Sequence, residues 1–358
     1  MTMIKYLARK IFKDFQGEIL ALPTRSILFA AGCMLFLLPL FTRDLYLLRI
    51  LSLAAFFAIF AASWDLLAGI CGQFNLGHSL FFGVAAYSSA LLNLRLGLPT
   101  VLTIPAGALV AVAAGLVLGL PGLRLKGPYF SLASLAFPTI MLGVVITFSN
   151  MTGGELGISG ISRLSSTRLI EFYVSQTVMV IAVLIMWKIA TSKTGLIFHA
   201  IREDEIAVRA SGINTSFYKM LAFSLSGFFA GIAGGMYAHF MRVAGPSTLD
   251  LVLSLQIIVW AIFGGIATIY GPVVGVFILF PLIEFLRIVP QIRTLAFALI
   301  VIIVLRIMPE GVTTWVQDLL EKECPRCKER NAFILSSCRI CGVEIGRGFK
   351  IKFLKRGA

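Results

Sequence analysis

Charge is scarce in this 358-residue chain, where Asp, Glu, Lys and Arg together make up 13%. Soluble domains carry about twice that share. Acids are the rarer sign, 17 against 31 basic residues, and histidine occurs three times. No paired carboxylates and no nucleophile beside a base stand out, so acid–base or covalent catalysis has no constellation to build on. No G-x-x-x-x-G-K-[ST] run occurs, which excludes nucleotide binding by that phosphate-cradling loop. The N-terminal residues do not read as a secretory leader. Residues 1–25 read instead as a basic amphipathic segment for the membrane interface, with Ile4, Leu7, Ile11 and Phe15 set against Lys5, Arg9 and Lys13.

Hydrocarbon is what the chain has in quantity, at 58% hydrophobic residues. Charge-free runs such as 98–120 and 129–150 are long enough to cross a bilayer as helices. Their apolar character is continuous rather than alternating, which favours helices over barrel strands. The expected fold is an all-α polytopic membrane protein of about ten transmembrane helices, with two glycine-broken segments and a small C-terminal zinc ribbon. The spans expected are 26–42, 45–68, 79–95, 98–120, 129–150, 171–190, 218–240, 250–266, 272–288 and 294–308. Basic residues collect in segments that fall on one side when the spans are counted: the N-terminal segment, Arg124 and Lys126, 188–219 and the tail. That asymmetry places both termini in the cytoplasm of a multi-pass plasma-membrane protein.

Two uncharged stretches are too long for one upright span. Residues 66–94 are broken by Gly69, Gly72, Asn75 and Gly77, and residues 251–283 by Gly264, Gly265, Gly271 and Pro272. Breaks at membrane depth survive where protein or a water-filled cavity covers the freed backbone. A matching pair points to a transport pathway, for which Gly72, Asn75, Gly77, His78, Gly264, Gly265 and Gly271 are the candidates. Close helix packing by small residues is the alternative for each glycine. Asp65, His239 and Glu284 lie near expected helix ends, where snorkelling or hydration accounts for them.

Residues 191–217 form a polar loop between apolar runs, with a short helix expected over 201–210. Ile201, Ala207 and Ala210 would pack into a partner's groove, while Arg202, Glu203, Asp204, Glu205 and Arg209 set register by charge. Gly212 permits a tight exit from that helix.

Several ordered motifs carry a family likeness. Gly69-Ile-Cys-Gly-Gln-Phe-Asn-Leu-Gly-His-Ser-Leu-Phe-Phe-Gly-Val-Ala-Ala-Tyr87 resembles the "GxxGxxSLGHxxFFGxGAY" signature of branched-chain amino-acid ABC transporter permeases of the LivM type. Arg124 to Ala136, Thr152-Gly-Gly-Glu-Leu-Gly157, the loop from Ser192 to Asn214 and Gly264 to Gly275 are similar to further segments of that family. Departures include Asn75 where the family has Ser and Asp65 where it often has Asn. The resemblance implies a permease domain over 26–310 and a coupling function for 191–217. The implied partners are a second homologous permease, two cytoplasmic ABC ATPases and an extracytoplasmic solute-binding protein. The solute is a branched-chain or other aliphatic amino acid, with urea and short-amide permeases closely similar. An ion-coupled secondary transporter is the competing class.

The tail lies outside that likeness. Cys324-Pro-Arg-Cys327 and Cys338-Arg-Ile-Cys341 are two C-x-x-C knuckles within a ribbon at 320–345. Four thiolates suit tetrahedral zinc, with disulfides disfavoured on a reducing side and rubredoxin-like iron a further alternative. Residues 346–358 add a basic tail, for which anionic membrane lipid is the simplest partner. Nucleic acid is disfavoured, because no aromatic pattern accompanies the charge.

Overall fold

Long apolar runs become helices because a backbone without water must satisfy its own polar groups. A computed structural model describes residues 23–42, 44–122, 128–286, 298–299, 302, 306, 311–327, 330–333 and 335–344. Among these, six helices are long and apolar enough to cross a membrane: Leu45–Ile70, Ser79–Leu96, Thr100–Gly119, Tyr129–Thr147, Arg168–Ala190 and Thr215–Met241. Shorter apolar helices at Ser26–Phe41, Leu251–Gly264 and Tyr270–Phe285 stand where three more spans were expected. The expected 294–308 span lies almost wholly outside the described residues, as do residues 1–22, the basic 123–127 loop and the 346–358 tail.

The chain divides into two units, residues 44–312 and a second that combines 1–43 with 313–358. In the first, α2 (Leu45–Asp65) is capped by Asp44, whose side chain accepts the Tyr46 amide at 2.9 Å. It continues through a π-helical turn, Leu66–Ile70. Then come α3 (Ser79–Leu96), α4 (Thr100–Gly122), α5 (Pro128–Ser134) and α6 (Ala136–Thr147). α8 (Arg168–Ala190) follows a one-turn α7 (Ser149–Thr152), and α9 (Lys193–Glu203) and α10 (Glu205–Ala210) lead to α11 (Thr215–Met241). The unit closes with α12 (Leu251–Gly264) and α13 (Tyr270–Phe285).

α2 is the central post: 72% of its apolar window is buried, against 28% for the window of α4. α3, α4 and α11 pack tightly on one another. The Gly231 backbone lies against Ala108, where an added Cβ would come within 2.7 Å of the Ala108 Cα. Such close approach is how helices gain dispersion contact without a hydrophobic driving force. Polar bonds add to it: Ser226 donates to the Ser63 carbonyl at 2.6 Å, and Gln176 Nε2 to Leu51 O at 3.0 Å. His239 is fully buried, with Nε2 2.9 Å from both Ser89 and Thr103 hydroxyls and Nδ1 2.9 Å from Ser162 O. Hydration at a helix end, the expectation from sequence, is therefore replaced by a bond network joining three helices. The segment resembling the "TGGxxG" loop leads into β1 (Ile158–Ser159), which pairs antiparallel with β2 (Val243–Ala244).

In the second unit, α1 (Pro23–Phe41) is an apolar helix. α14 (Val312–Leu320) runs into β3 (Glu321–Glu323), which pairs antiparallel with β4 (Arg330–Ala332).

Candidate functional site

The first glycine-rich break is a packed joint. After the π turn, Gly72 takes φ +75°, a conformation that favours glycine. Asn75 Oδ1 accepts the Gly77 amide at 2.9 Å, closing a local turn, and Trp64 Nε1 donates to Asn75 O at 2.7 Å. His78 lies parallel to the Phe60 ring with centroids 5.1 Å apart, 3.0 Å from the Ser63 hydroxyl and 3.4 Å from Asn75 Nδ2. Asn75 and His78 are fully buried. A Cβ at Gly77 would fall on the carbonyl of Ser134, and Leu76 N donates to Ser134 Oγ at 2.9 Å, so α5 clamps this break.

The second break is a tight loop between α12 and α13. Gly265 has φ +117°, and the non-glycine residues Ala267 and Ile269 have φ +65° and +60°. A β-branched residue in that region is an outlier that only surrounding structure sustains. A Cβ at Gly264 would overlap the Gly271 carbonyl and come within 3.0 Å of Gly275 N.

Asp65 was expected to snorkel at a helix end; the structure buries it completely. Its Oδ1 accepts the Ala267 amide at 2.7 Å, and its Oδ2 accepts those of Thr268 at 3.2 Å and Ile269 at 2.9 Å. Its donors lie about 200 positions away in sequence, so no local pattern could reveal the role. The usable signal was a single acid one turn before Gly69 in an otherwise uncharged run.

The polar loop between α8 and α11 is two helices rather than one. Ser192 caps α9 by accepting the Gly195 amide at 3.4 Å. Asp204 interrupts the helix in extended conformation, and its carboxylate accepts the amides of Ile206 at 2.8 Å and Ala207 at 3.0 Å to start α10. Ile201, expected to enter a partner's groove, is only 4% exposed within its own chain. Arg202 donates to the Gly69 carbonyl. Glu205 is held internally by Lys219 at 2.6 Å, Arg209 at 2.8 Å and the Thr215 hydroxyl at 3.2 Å. Arg202, Glu203, Asp204, Ala207, Arg209 and Gly212 remain exposed, and Gly212 takes φ +83° after α10. Sequence reasoning missed the most open apolar side chains of the loop, Ile206 at 80% and Leu196 at 72% exposure.

Partial burial raises the Glu205 carboxyl, but the Lys219 ammonium, Thr215 and Arg209 outweigh it and hold the group below its ordinary value. A depressed carboxylate contributes stability above its unfolded pKa, about 4.3, and loses it as pH falls through the lower folded value. Glu205→Gln is therefore expected to lower thermal stability at pH 7 by about 1 kcal/mol, a surface-pair magnitude. The gap between variant and parent should close as pH falls below about 4. An equal gap at pH 7 and pH 3 in thermal unfolding would refute the ion-pair account.

The four tail thiols converge. The Sγ atoms of Cys324, Cys327, Cys338 and Cys341 all lie within 4.8 Å of one another. Cys324–Cys341 and Cys327–Cys338 are separated by 3.4 and 3.5 Å, far beyond a disulfide bond. Backbone amides of Cys341 and Ile340 hold the Cys338 thiol down to about 6. Buried Asn331 donates to Cys338 Sγ at 3.6 Å and accepts the Arg339 amide at 3.0 Å. A donor set of this kind can hold one metal ion.

Residues 46–308 match the protein family described as "Branched-chain amino acid transport system / permease component". The chain is 25% identical to the high-affinity branched-chain amino acid transport system permease protein LivM of Salmonella typhimurium over 312 aligned residues, covering 79% of this chain and 73% of that protein. It is 26% identical to LivM of Escherichia coli, covering 76% and 71% of the two chains. A ribose import permease protein, RbsC of Haemophilus influenzae, is 24% identical over 66% of this chain and 74% of its own. No solved structure matches.

Proposed function

Because the chain belongs to the family of permease components of branched-chain amino acid transport systems, we propose that it forms the translocation path of an importer driven by separate ATPases. It is a multi-pass membrane permease, a transporter subunit rather than an enzyme. The proposed solute is a branched-chain or other aliphatic amino acid, in keeping with the relatives' names. The observation that carries the mechanism is the meeting of both glycine-rich breaks beneath the α9–α10 loop, through Asp65 and Arg202.

Residues 191–217 are proposed as the cytoplasmic surface that receives ATPase motion, which places the opposite ends of α8 and α11 outside. Exposed Leu196 and Ile206 supply the apolar contact, and Glu203 and Arg209 the charge at its rim. Gly72, Gly77, Gly264, Gly265 and Gly271 allow the broken helices to shift, while Asn75 and His78 brace the first break. A second homologous permease and an external solute-binding protein complete the importer. An ion-coupled mechanism gains no support from Asp65, since both its oxygens are occupied by backbone amides.

Ile206→Asp, assayed with the partner ATPases in proteoliposomes, should cut ATP-dependent leucine uptake at least tenfold, about 1.4 kcal/mol of lost docking. Membrane insertion should be unchanged, because the side chain is solvent-facing. Undiminished uptake would remove this loop from the docking surface.

For the tail we propose one structural zinc held by Cys324, Cys327, Cys338 and Cys341, with Asn331 orienting Cys338. Zinc would supply tetrahedral cross-linking of the ribbon. The basic residues beyond it are proposed to meet anionic lipid at the inner leaflet.

A further inference from the structure

Three backbone amides in a row, those of Ala267, Thr268 and Ile269, point at a single carboxylate. A nest of this kind needs backbone angles that Ala267 and Ile269 would not adopt freely, φ +65° and +60°. The carboxylate of Asp65 offsets that strain, and the loop's shape depends on it. Asp65 is itself held at the end of α2, where the helix widens into its π turn. One turn on, Gly69 has no side chain for a steric reason: a Cβ there would fall on Asp65 Oδ1 and within 2.7 Å of Ala267 N. The carbonyl of that same Gly69 accepts the Arg202 guanidinium from α9. Arg202 also lies against the first break, since a Cβ on Gly72 would be 3.1 Å from its Cα. Three segments distant in sequence thus meet through one short polar chain.

We propose that Asp65 is the positioning residue of the transport cycle, the joint through which displacement of α9 reaches both broken helices at once. The assignment rests on the reading of α9–α10 as the ATPase-facing loop. Pulling Arg202 moves the Gly69 carbonyl and with it the π turn. The adjoining Asp65 carboxylate then carries the 267–269 loop, because it accepts all three of that loop's amides. Without Asp65 the first break would still follow α9, and the second would be released.

Two measurements test this. In the purified full chain, hydrogen exchange is read at the amides of 267–269 for Asp65→Leu and Arg202→Gln. Asp65→Leu should speed exchange at least tenfold by removing the acceptor. Arg202→Gln should speed it at least threefold, although Arg202 touches none of those amides. Exchange at 267–269 unaffected by Arg202→Gln overturns the joint. In the complex with its ATPases, leucine imported per ATP hydrolysed should fall at least tenfold for Asp65→Leu. Asp65→Asn, which keeps one acceptor oxygen, should retain at least a third of the parental ratio. A purely structural role would lower uptake and hydrolysis together and leave the ratio unchanged, which also overturns the proposal. If the parental complex imports no leucine while Arg202→Gln still loosens 267–269, the joint stands and the solute assignment fails.

Discussion

Gly264→Ala is expected to reduce uptake to a few per cent of the parental rate, although it adds a single methyl group. Its Cβ would overlap the carbonyl of Gly271 and press on Gly275 N at 3.0 Å. The obstruction is backbone on both sides, so no rotamer can relieve it. α12 and α13 would have to separate, and overpacking of this kind costs about 1–3 kcal/mol or more. The strained turn at 265–269 lies between those two helices, so the displacement falls where Asp65 holds them. Gly143→Ala on α6 is the control, since nothing lies within 4 Å of a Cβ there. Uptake in proteoliposomes, normalised to inserted protein, separates the two. Parental uptake by Gly264→Ala would show that the second break neither moves nor needs its close packing.

Replacing Cys327 and Cys338 together by serine is expected to eliminate zinc from the protein and unfold the ribbon. Parental protein should contain about one zinc per chain, since structural sites of this donor set contribute about 10–16 kcal/mol of apparent binding energy. The described part of the ribbon is held by a two-strand pairing, one isolated bridge and the thiol cluster. A core this small does not sustain itself. Limited proteolysis should cleave residues 320–345 in the variant and spare them in the parent. Leucine uptake should stay within about twofold, because the family match ends at residue 308. Metal-free parental protein with an intact ribbon would overturn the zinc assignment. A large loss of uptake would instead make the tail part of the transport machinery.

Much of this architecture is legible in the chain itself. Uncharged runs longer than a bilayer is thick specify membrane helices, because backbone polar groups have no other partner there. Gly69, Gly72 and Gly77, with Gly264, Gly265 and Gly271, mark both breaks, since glycine admits positive φ and close backbone contact. Cys324, Cys327, Cys338 and Cys341 declare their cluster through knuckle spacing alone. Helix ends are legible to within a few residues: 171–190 and 218–240 were expected where 168–190 and 215–241 are found.

The polar loop at 191–217 shows where that legibility stops. Its charges suggested a surface for a partner, yet exposed Arg202 and half-buried Glu205 bond to Gly69 and Lys219 of their own chain, and Ile201 is buried. Residue type cannot reveal which side of a short helix meets the rest of its own chain, because that depends on the angle between α8 and α11. Ile206, which the sequence reading did not single out, stands open at 80% exposure in the fold. Composition and periodicity therefore determined the membrane class, the two breaks and the four-thiol cluster of the tail, all of which follow from local chemistry. Only the tertiary structure decided that the two breaks meet at Asp65, since its three amide donors come from a loop some 200 residues further along.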